Sequence, residues 1–209
     1  MSAPAQPPRQ PVHPFPHSDR LRLRPLTETD VPALHALHND PEVMRYLTGG
    51  APVSVEHVRA VELPRMNRHF DAADGPGFWG AERRDGEGGL LGWFELRPLD
   101  TNGGGVFELG YRLRRDAWGR GYASEGGRLL VRRAFERLGA RRVTADTMAV
   151  NTASRRVMER CGLRYLRSYT EDWPEPLPGS EHGEVEYVID RAEWEAQRLP
   201  ADEQPDSRR

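Results

Sequence analysis

The sequence predicts an α+β domain with a mixed, mostly antiparallel central sheet flanked by helices. Three observations carry that prediction. Short runs at residues 20–26, 78–84, 90–99, 107–113, 142–147, 165–169 and 185–189 read as strands, several with apolar residues at every second position. Between some of them, apolar residues recur three and four apart, the spacing of a helix with one buried side. Turn residues such as Asp85-Gly86-Glu87-Gly88-Gly89 join neighbouring strands directly, so most strands follow one another as hairpins do.

Residues 1–18 carry six prolines and no apolar run, and read as a disordered arm rather than a leader. The domain is expected over 19–198, and 199–209 is a polar tail. Residues 20–26 open the domain as a strand. Thr27 to Asp30 then supplies helix-start chemistry, and Ala33, Leu34 and Leu37 give the helix an apolar side. His35 and His38 lie three apart on it with no carboxylate close in sequence, so they read as surface or groove histidines and not as metal ligands. Asn39-Asp40-Pro41 breaks the helix, and Val43, Met44, Tyr46 and Leu47 form a small apolar cluster. Ser54 caps a second helix running toward Met66, with Pro64 limiting its end.

After the hairpin at 78–99, Asp100 to Gly105 turns the chain into the strand 107–113. Phe107, Leu109, Tyr111 and Leu113 alternate there with Glu108, Gly110 and Arg112. A helix follows, with Ala123, Leu130, Ala134 and Leu138 at helical spacing. Gly126 and Gly127 within it each cost about 1 kcal/mol relative to Ala, which close packing onto the sheet would explain. Residues 142–147 form the next strand, and 151–163 a short capped helix ended by Gly162. The last two strands are expected antiparallel around an acidic, proline-bearing loop, and 192–199 adds a final helical turn or two.

Trp118-Gly119-Arg120-Gly121-Tyr122-Ala123, between strand and helix, is the stretch richest in chemistry. A strand turning on two glycines into a helix start brings several unpaired backbone N–H groups to one point, where the helix dipole adds positive charge. Such a turn suits a phosphate or pyrophosphate. Arg112, Arg114, Arg115 and Arg120 crowd it, and the Ser124 hydroxyl lies within reach of its amides. It lacks the third glycine of a dinucleotide fingerprint, and it is no Walker loop, since the chain contains no lysine.

This stretch resembles the acetyl-CoA pyrophosphate loop of the GNAT N-acetyltransferases. Trp118 to Glu125 is similar in particular to the branch containing ribosomal-protein-alanine N-acetyltransferases and some aminoglycoside acetyltransferases. Residues 20–47 resemble the N-terminal strand and acceptor-side helices of the same branch. The resemblance implies a GNAT-like sheet, splayed at the acetyl-CoA site, over about residues 19 to 195. It implies cofactor contacts from Leu113, Gly119, Arg120, Gly121, Tyr122, Ala123, Ser124 and Asn151. Asp116 stands where the superfamily pattern has Gln or Arg, three residues before the first glycine, and Arg115 or Arg120 takes over that charge.

Composition bounds the rest. The net charge of −2 conceals segregation: residues 112–142 hold ten arginines, whereas 168–190 hold seven carboxylates and no arginine. One region suits a polyanion and the other a cation, as joining CoA to an amine requires, although ordinary solvated surface looks the same. No apolar run is long enough to span a membrane. The one cysteine, Cys161, allows no internal disulfide and reads as a packed thiol. A cytoplasmic location is expected, with no nucleic-acid or membrane partner, as a monomer or homodimer.

The second GNAT signature is resembled by Asn151-x-x-Ser154. In many relatives a tyrosine seven residues after that asparagine protonates the departing CoA thiolate; here Met158 stands there, and the resemblance passes the role to Ser154. A first-turn helix serine bonded to backbone is the alternative. The amine must attack neutral, and α-amino groups titrate at about 7.7–8.0, so a carboxylate is needed to take its proton. Glu108 on the central strand is the first candidate and Glu171 in the acidic loop the second; each reads equally as a charge that orients a cationic substrate. Glu125 reads as a structural hydrogen-bonding residue. The expectation is an acetyl-CoA-dependent N-acetyltransferase without a metal. Its acceptor is a primary amine on a small cation, such as an aminoglycoside or polyamine, or on a protein N-terminus. The alternative is a non-catalytic acyl-CoA-binding regulatory module.

Overall fold

A computed structural model of the chain describes residues 15–49, 51–67, 77–99, 104–170 and 176–198. In chain order, β1 (Leu21–Arg24) leads through a 3-10 turn (Glu28–Asp30) into α1 (Val31–His38) and α2 (Pro41–Met44). A second helical run consists of α3 (Val55–His57), a π-helical stretch (Val58–Glu62) and α4 (Leu63–Asn67). Strands β2 (Gly77–Arg83), β3 (Leu90–Pro98) and β4 (Val106–Leu113) follow, then α5 (Tyr122–Arg137), β5 (Arg142–Met148) and α6 (Thr152–Arg160). Finally come β6 (Arg164–Tyr169), β7 (Glu184–Asp190) and α7 (Arg191–Ala196).

The seven strands form one sheet in the order β1-β2-β3-β4-β5-β7-β6. Every pairing is antiparallel except β4 with β5, which the α5 crossover makes parallel. The predicted mixed, mostly antiparallel sheet is therefore what forms.

Period-two alternation divides the side chains of β3 and β4 between two cores. Phe94, Leu96, Phe107, Leu109 and Leu113 pack on α5, which buries Leu130, Val131, Ala134 and Phe135 against them. On the other side, Phe78, Leu90 and Trp93 meet Val31, Leu34 and Leu37 of α1, and Val58, Leu63 and Met66 of the second helical run. Val31 takes the buried position expected of Ala33, which is exposed. Gly126 and Gly127 are where α5 touches its neighbours. A Cβ on Gly126 would strike the Phe94 ring, and one on Gly127 would lie 2.5 Å from Cys161 Sγ.

Two expectations need correction. Pro64 does not end its helix, which runs on to Asn67. The π-helical stretch before it, where the Leu63 N–H reaches back to the Val58 carbonyl, widens the helix just ahead of the residue that has no N–H to give. His38 is not a surface histidine: it is 3% exposed and bonded through Nδ1 to Glu62. That partner lies on the other helical run, invisible to a search of the local sequence. The expectations for residues 1–14, the turn 100–103, the tail 199–209 and Glu171 fall outside the described residues.

Candidate active site

The site begins where β4 and β5 stop pairing. Their parallel ladder has three rungs, Val106 with Arg142, Phe107 with Val143 and Glu108 with Thr144. Past that point β4 stays on β3 as far as Leu113 opposite Gly92, and β5 stays on β7 as far as Met148 opposite Glu184. The sheet thus opens into a V between residues 109–113 and 145–148. Backbone groups along such a seam lack strand partners and suit an extended, amide-bearing ligand.

The glycine turn lies at the open end. Gly119 and Gly121 adopt φ of +71° and +80°, which other residues rarely do, and Gly121 begins α5 without a side-chain cap. The first amides of α5 therefore have no side-chain acceptor at the cap, at the turn where the sequence places an anion on Gly119, Gly121 and Ala123. Arg120 is exposed, and its carbonyl accepts from Arg20. The Tyr122 and Ser124 side chains are buried, the tyrosine beneath the Arg20 guanidinium, so both offer backbone only. The Leu113 carbonyl accepts from the Trp118 indole at 2.8 Å, which ties the turn to the end of β4. Glu125 is structural, as expected: it accepts from Ser18 Oγ at 2.6 Å and Arg20 Nε at 2.7 Å, fastening the start of β1 to α5.

One wall of the V is neutral. Asn151 caps α6, its Oδ1 accepting from the Ser154 N–H at 3.2 Å and its Nδ2 donating to Thr147 Oγ1 at 3.0 Å. Its side chain is thereby committed to presenting Ser154. Ser154 Oγ lies 2.8 Å from the hydroxyl of Tyr111, which also reaches the Ser154 carbonyl at 3.1 Å. Burial raises the Tyr111 phenol above its ordinary range, so it stays protonated. Sequence reasoning took Tyr111 for one more core residue of an alternating strand. Nothing local marks that its ring end meets α6. Cys161, buried, has its thiol pushed up to about 12 and is no nucleophile.

The opposite wall is ionic. Glu108 sits at the last rung, paired with Arg97; burial raises its carboxyl, with Arg97 opposing and Asp146 adding. Glu95 stands opposite Gly110 across β3 and β4. Gly110 has no side chain, and Glu95 Oε2 lies only 3.1 Å from where its Cβ would be. Glu95 therefore overhangs β4 beside the opening. Burial pushes it up to about 7, Arg97 opposing at 3.1 Å and Glu108 adding. Above them, His38 is held below its usual range, first by burial and then by Arg112, and its Nε2 accepts from the Trp93 indole at 3.4 Å. Arg112, beside Trp93, is pushed down to about 10 by burial.

A cleft of about 960 Å³ lies elsewhere, on the outer side of α5, lined by Arg128, Arg160 and Trp194 among others but by no residue of 109–113 or 145–148. Among the described residues no cluster is suited to a metal, and no helix is long and apolar enough to cross a membrane.

A half-open mixed sheet with an uncapped glycine turn at its mouth, a protonated hydroxyl pair on one wall and raised carboxyls on the other is an arrangement suited to acyl-group transfer. Comparison with known proteins gives the family. The acetyltransferase (GNAT) domain matches residues 20–164. The FsC-acetyl coenzyme A-N(2)-transacetylase of Aspergillus fumigatus is 38% identical over 191 residues, spanning 88% of this chain and 80% of that one. Among solved structures, the spermidine N-acetyltransferase of Vibrio cholerae, in complex with CoA and spermine, superposes with a TM-score of 0.69 at 19% identity, covering 85% of this chain and 99% of that one. A ribosomal alpha-N-protein acetyltransferase in complex with coenzyme A gives 0.66 at 22% identity, covering 84% and 97%. At those identities the two structures speak for the fold alone. The chain belongs to the GNAT acetyltransferase family and is an acetyl-CoA-dependent N-acetyltransferase.

Proposed function

We propose that the chain moves an acetyl group from acetyl-CoA directly to a primary amine bound on the α1 side of the V. The observation that carries this reading is the three-rung seam, with a proton donor on one wall and a proton acceptor on the other. In this reading the pyrophosphate rests on the amides of Gly119, Gly121 and Ala123, and the pantetheine lies along β4 toward Leu113. The amine nitrogen attacks the thioester carbon, the C–S bond breaks, and the thiolate takes a proton from Ser154 Oγ. Tyr111 stays hydrogen-bonded to that hydroxyl as it does so.

The amine proton goes to Glu95. An acid of about 7 is well matched to an α-amino group of about 7.7–8.0, because transfer between them is nearly balanced near neutral pH. Glu108, at the closed end of the seam, helps keep Glu95 basic through its charge and draws a cationic acceptor in. Asn151 acts on the cofactor through Ser154, which it positions. Glu171, two residues after β6 in sequence and outside the described residues, is proposed from the acidic sequence around it as a second source of field for a cationic amine such as a polyamine, an aminoglycoside or a protein N-terminus.

Two measurements test the reading. Thiol release from acetyl-CoA should depend on added amine, with a matching acetyl mass gain on the acceptor. Gly121→Val should weaken acetyl-CoA binding at least tenfold, about 1.4 kcal/mol, because a β-branched residue cannot hold φ near +80° without strain. Unchanged affinity in a folded variant would remove the turn from the cofactor site.

A further inference from the structure

The chamber on the α1 side of β3 and β4 holds an imbalance of partners. Its floor is laid on two successive same-face rungs, Trp93 opposite Arg112 and Glu95 opposite Gly110, with Phe94 opposite Tyr111 between them on the other face. Each carboxylate there has a cation or a donor: Glu95 and Glu108 share Arg97, and Glu62 is bonded to His38. Arg112 has neither. Among the described residues it makes no hydrogen bond and no ion pair, and its Nε is out of contact with solvent. Its guanidinium carbon lies 5.0 Å from the Trp93 ring centroid, and the charges of Glu62, Arg65 and Glu95 reach it without a direct bond.

That is against the habit of this chain. Arg24 is bound to Asp30 and Glu82, Arg142 to Asp190, and Arg164 to Glu193 and Asp190, all in more open positions. A half-buried guanidinium with its Nε shut off from water and no direct ion pair is costly, and the fold keeps one beside the carboxyl that overhangs the seam. A second cation, Arg65 on α4, spreads over the Phe78 ring at 5.5 Å. A chamber built for a polyamine alone would not hold two such cations.

We propose that this chamber selects an amino-acid-type acceptor, a primary amine with a carboxylate close by, and that Arg112 binds the carboxylate while Glu95 faces the amine. The proposal rests on the acetyl-transfer reading above. Glu95 and Arg112 are diagonal neighbours on one face of the β3–β4 pair, a relation that sets residues about 7–8 Å apart. An amine and a carboxylate on one carbon, each with a hydrogen-bonding partner at about 2.8 Å, place those two partners on the same scale. Arg also suits the task chemically, since its planar fork grips a carboxylate through two parallel bonds. Acceptor binding would supply the partner that the fold withholds.

Calorimetry on the CoA-bound protein tests this with L-ornithine and putrescine, which differ by one carboxylate, while thiol release is followed in parallel. Ornithine should bind at least tenfold more tightly. Arg112→Met should bring the ratio to about one, and Arg112→Lys should keep part of it. Equal binding, tighter binding of putrescine, or binding of neither by the unaltered protein overturns the proposal without need of a variant. Preference for ornithine with no thiol released sinks the acetyl-transfer reading alone. Thiol release without any preference sinks the carboxylate proposal alone.

Discussion

On the α6 side of the β4–β5 seam the polar groups are hydroxyls, Tyr111 against Ser154; on the α1 side they are ions, Glu95 and Glu108 about Arg97, with Arg112 beside them. One physical cause, removal from water, acts on both sides with opposite uses. It raises the Tyr111 phenol, so that the hydroxyl pair stays protonated and fit to donate. It raises Glu95 to about 7, so that a carboxyl otherwise always ionised becomes able to take a proton and release it again. A reaction that removes a proton from an amine and adds one to a thiolate needs both, on opposite sides of the bond being exchanged. The lesson is that the same burial disfavours the same negative charge on both groups. Their different ordinary pKa values decide that the phenol stays a hydroxyl while the carboxyl is brought near neutrality, where in the proposed reading it serves as a base.

The largest expected effect breaks the ionic side. Glu95→Gln should lower kcat/KM about 100-fold near pH 7 and abolish the acidic limb of its pH profile, whose midpoint in the parent should fall near 7. If Tyr111→Phe removes that limb instead, the two sides have been assigned in reverse. Next is the neutral side. Ser154→Ala should lower kcat roughly tenfold with acetyl-CoA affinity unchanged, since the hydroxyl acts as the C–S bond breaks. The loss should shrink with an acetyl donor whose thiol is more acidic, and a constant loss would leave Ser154 a merely structural serine.

A stability measurement sharpens the comparison further. Glu95 titrates higher when folded than the ordinary carboxylate near 4.5, so its contribution to stability is whole below that pH and is lost as pH rises through about 7. Glu95→Gln should therefore raise the unfolding free energy measured in urea at pH 8, by an amount on the order of 1–3 kcal/mol, and hardly change it at pH 4. An equal gain at both pH values would mean that packing, not charge, separates the variants. The smallest effect expected is for Arg112→Met, a gain of about 1 kcal/mol in the absence of acceptor, from removing an unmatched cation. Destabilisation on chemical denaturation would show that the Trp93 contact outweighs the missing ion pair.

What the sequence revealed and what it hid divides along the same seam. The glycine turn, the Asn151 cap with Ser154 three residues on, and the alternation of β4 are local, and each formed as read. Glu95 and Tyr111 are hidden because their significance depends on where the β4–β5 ladder stops, a fact about residues paired 36 positions apart in sequence, as Glu108 and Thr144 are at the final rung. Gly110 looked like an ordinary strand residue. Only its pairing with Glu95 makes its missing side chain informative. His38 was misread for the same reason, its partner Glu62 lying 24 positions away on another helix.

The brevity of the parallel ladder bears on how the molecule holds together. Strands β1 to β4 form one four-stranded block and β5 to β7 another, and among the strands only three rungs couple them, with α5 bridging behind. Cooperativity between the blocks is thus weakest at the place where chemistry is done. Amide exchange should report two subglobal units opening at different free energies, with the protection of 109–113 and 145–148 rising most when the seam is filled. The enzyme would then owe part of its rigidity to its own substrate.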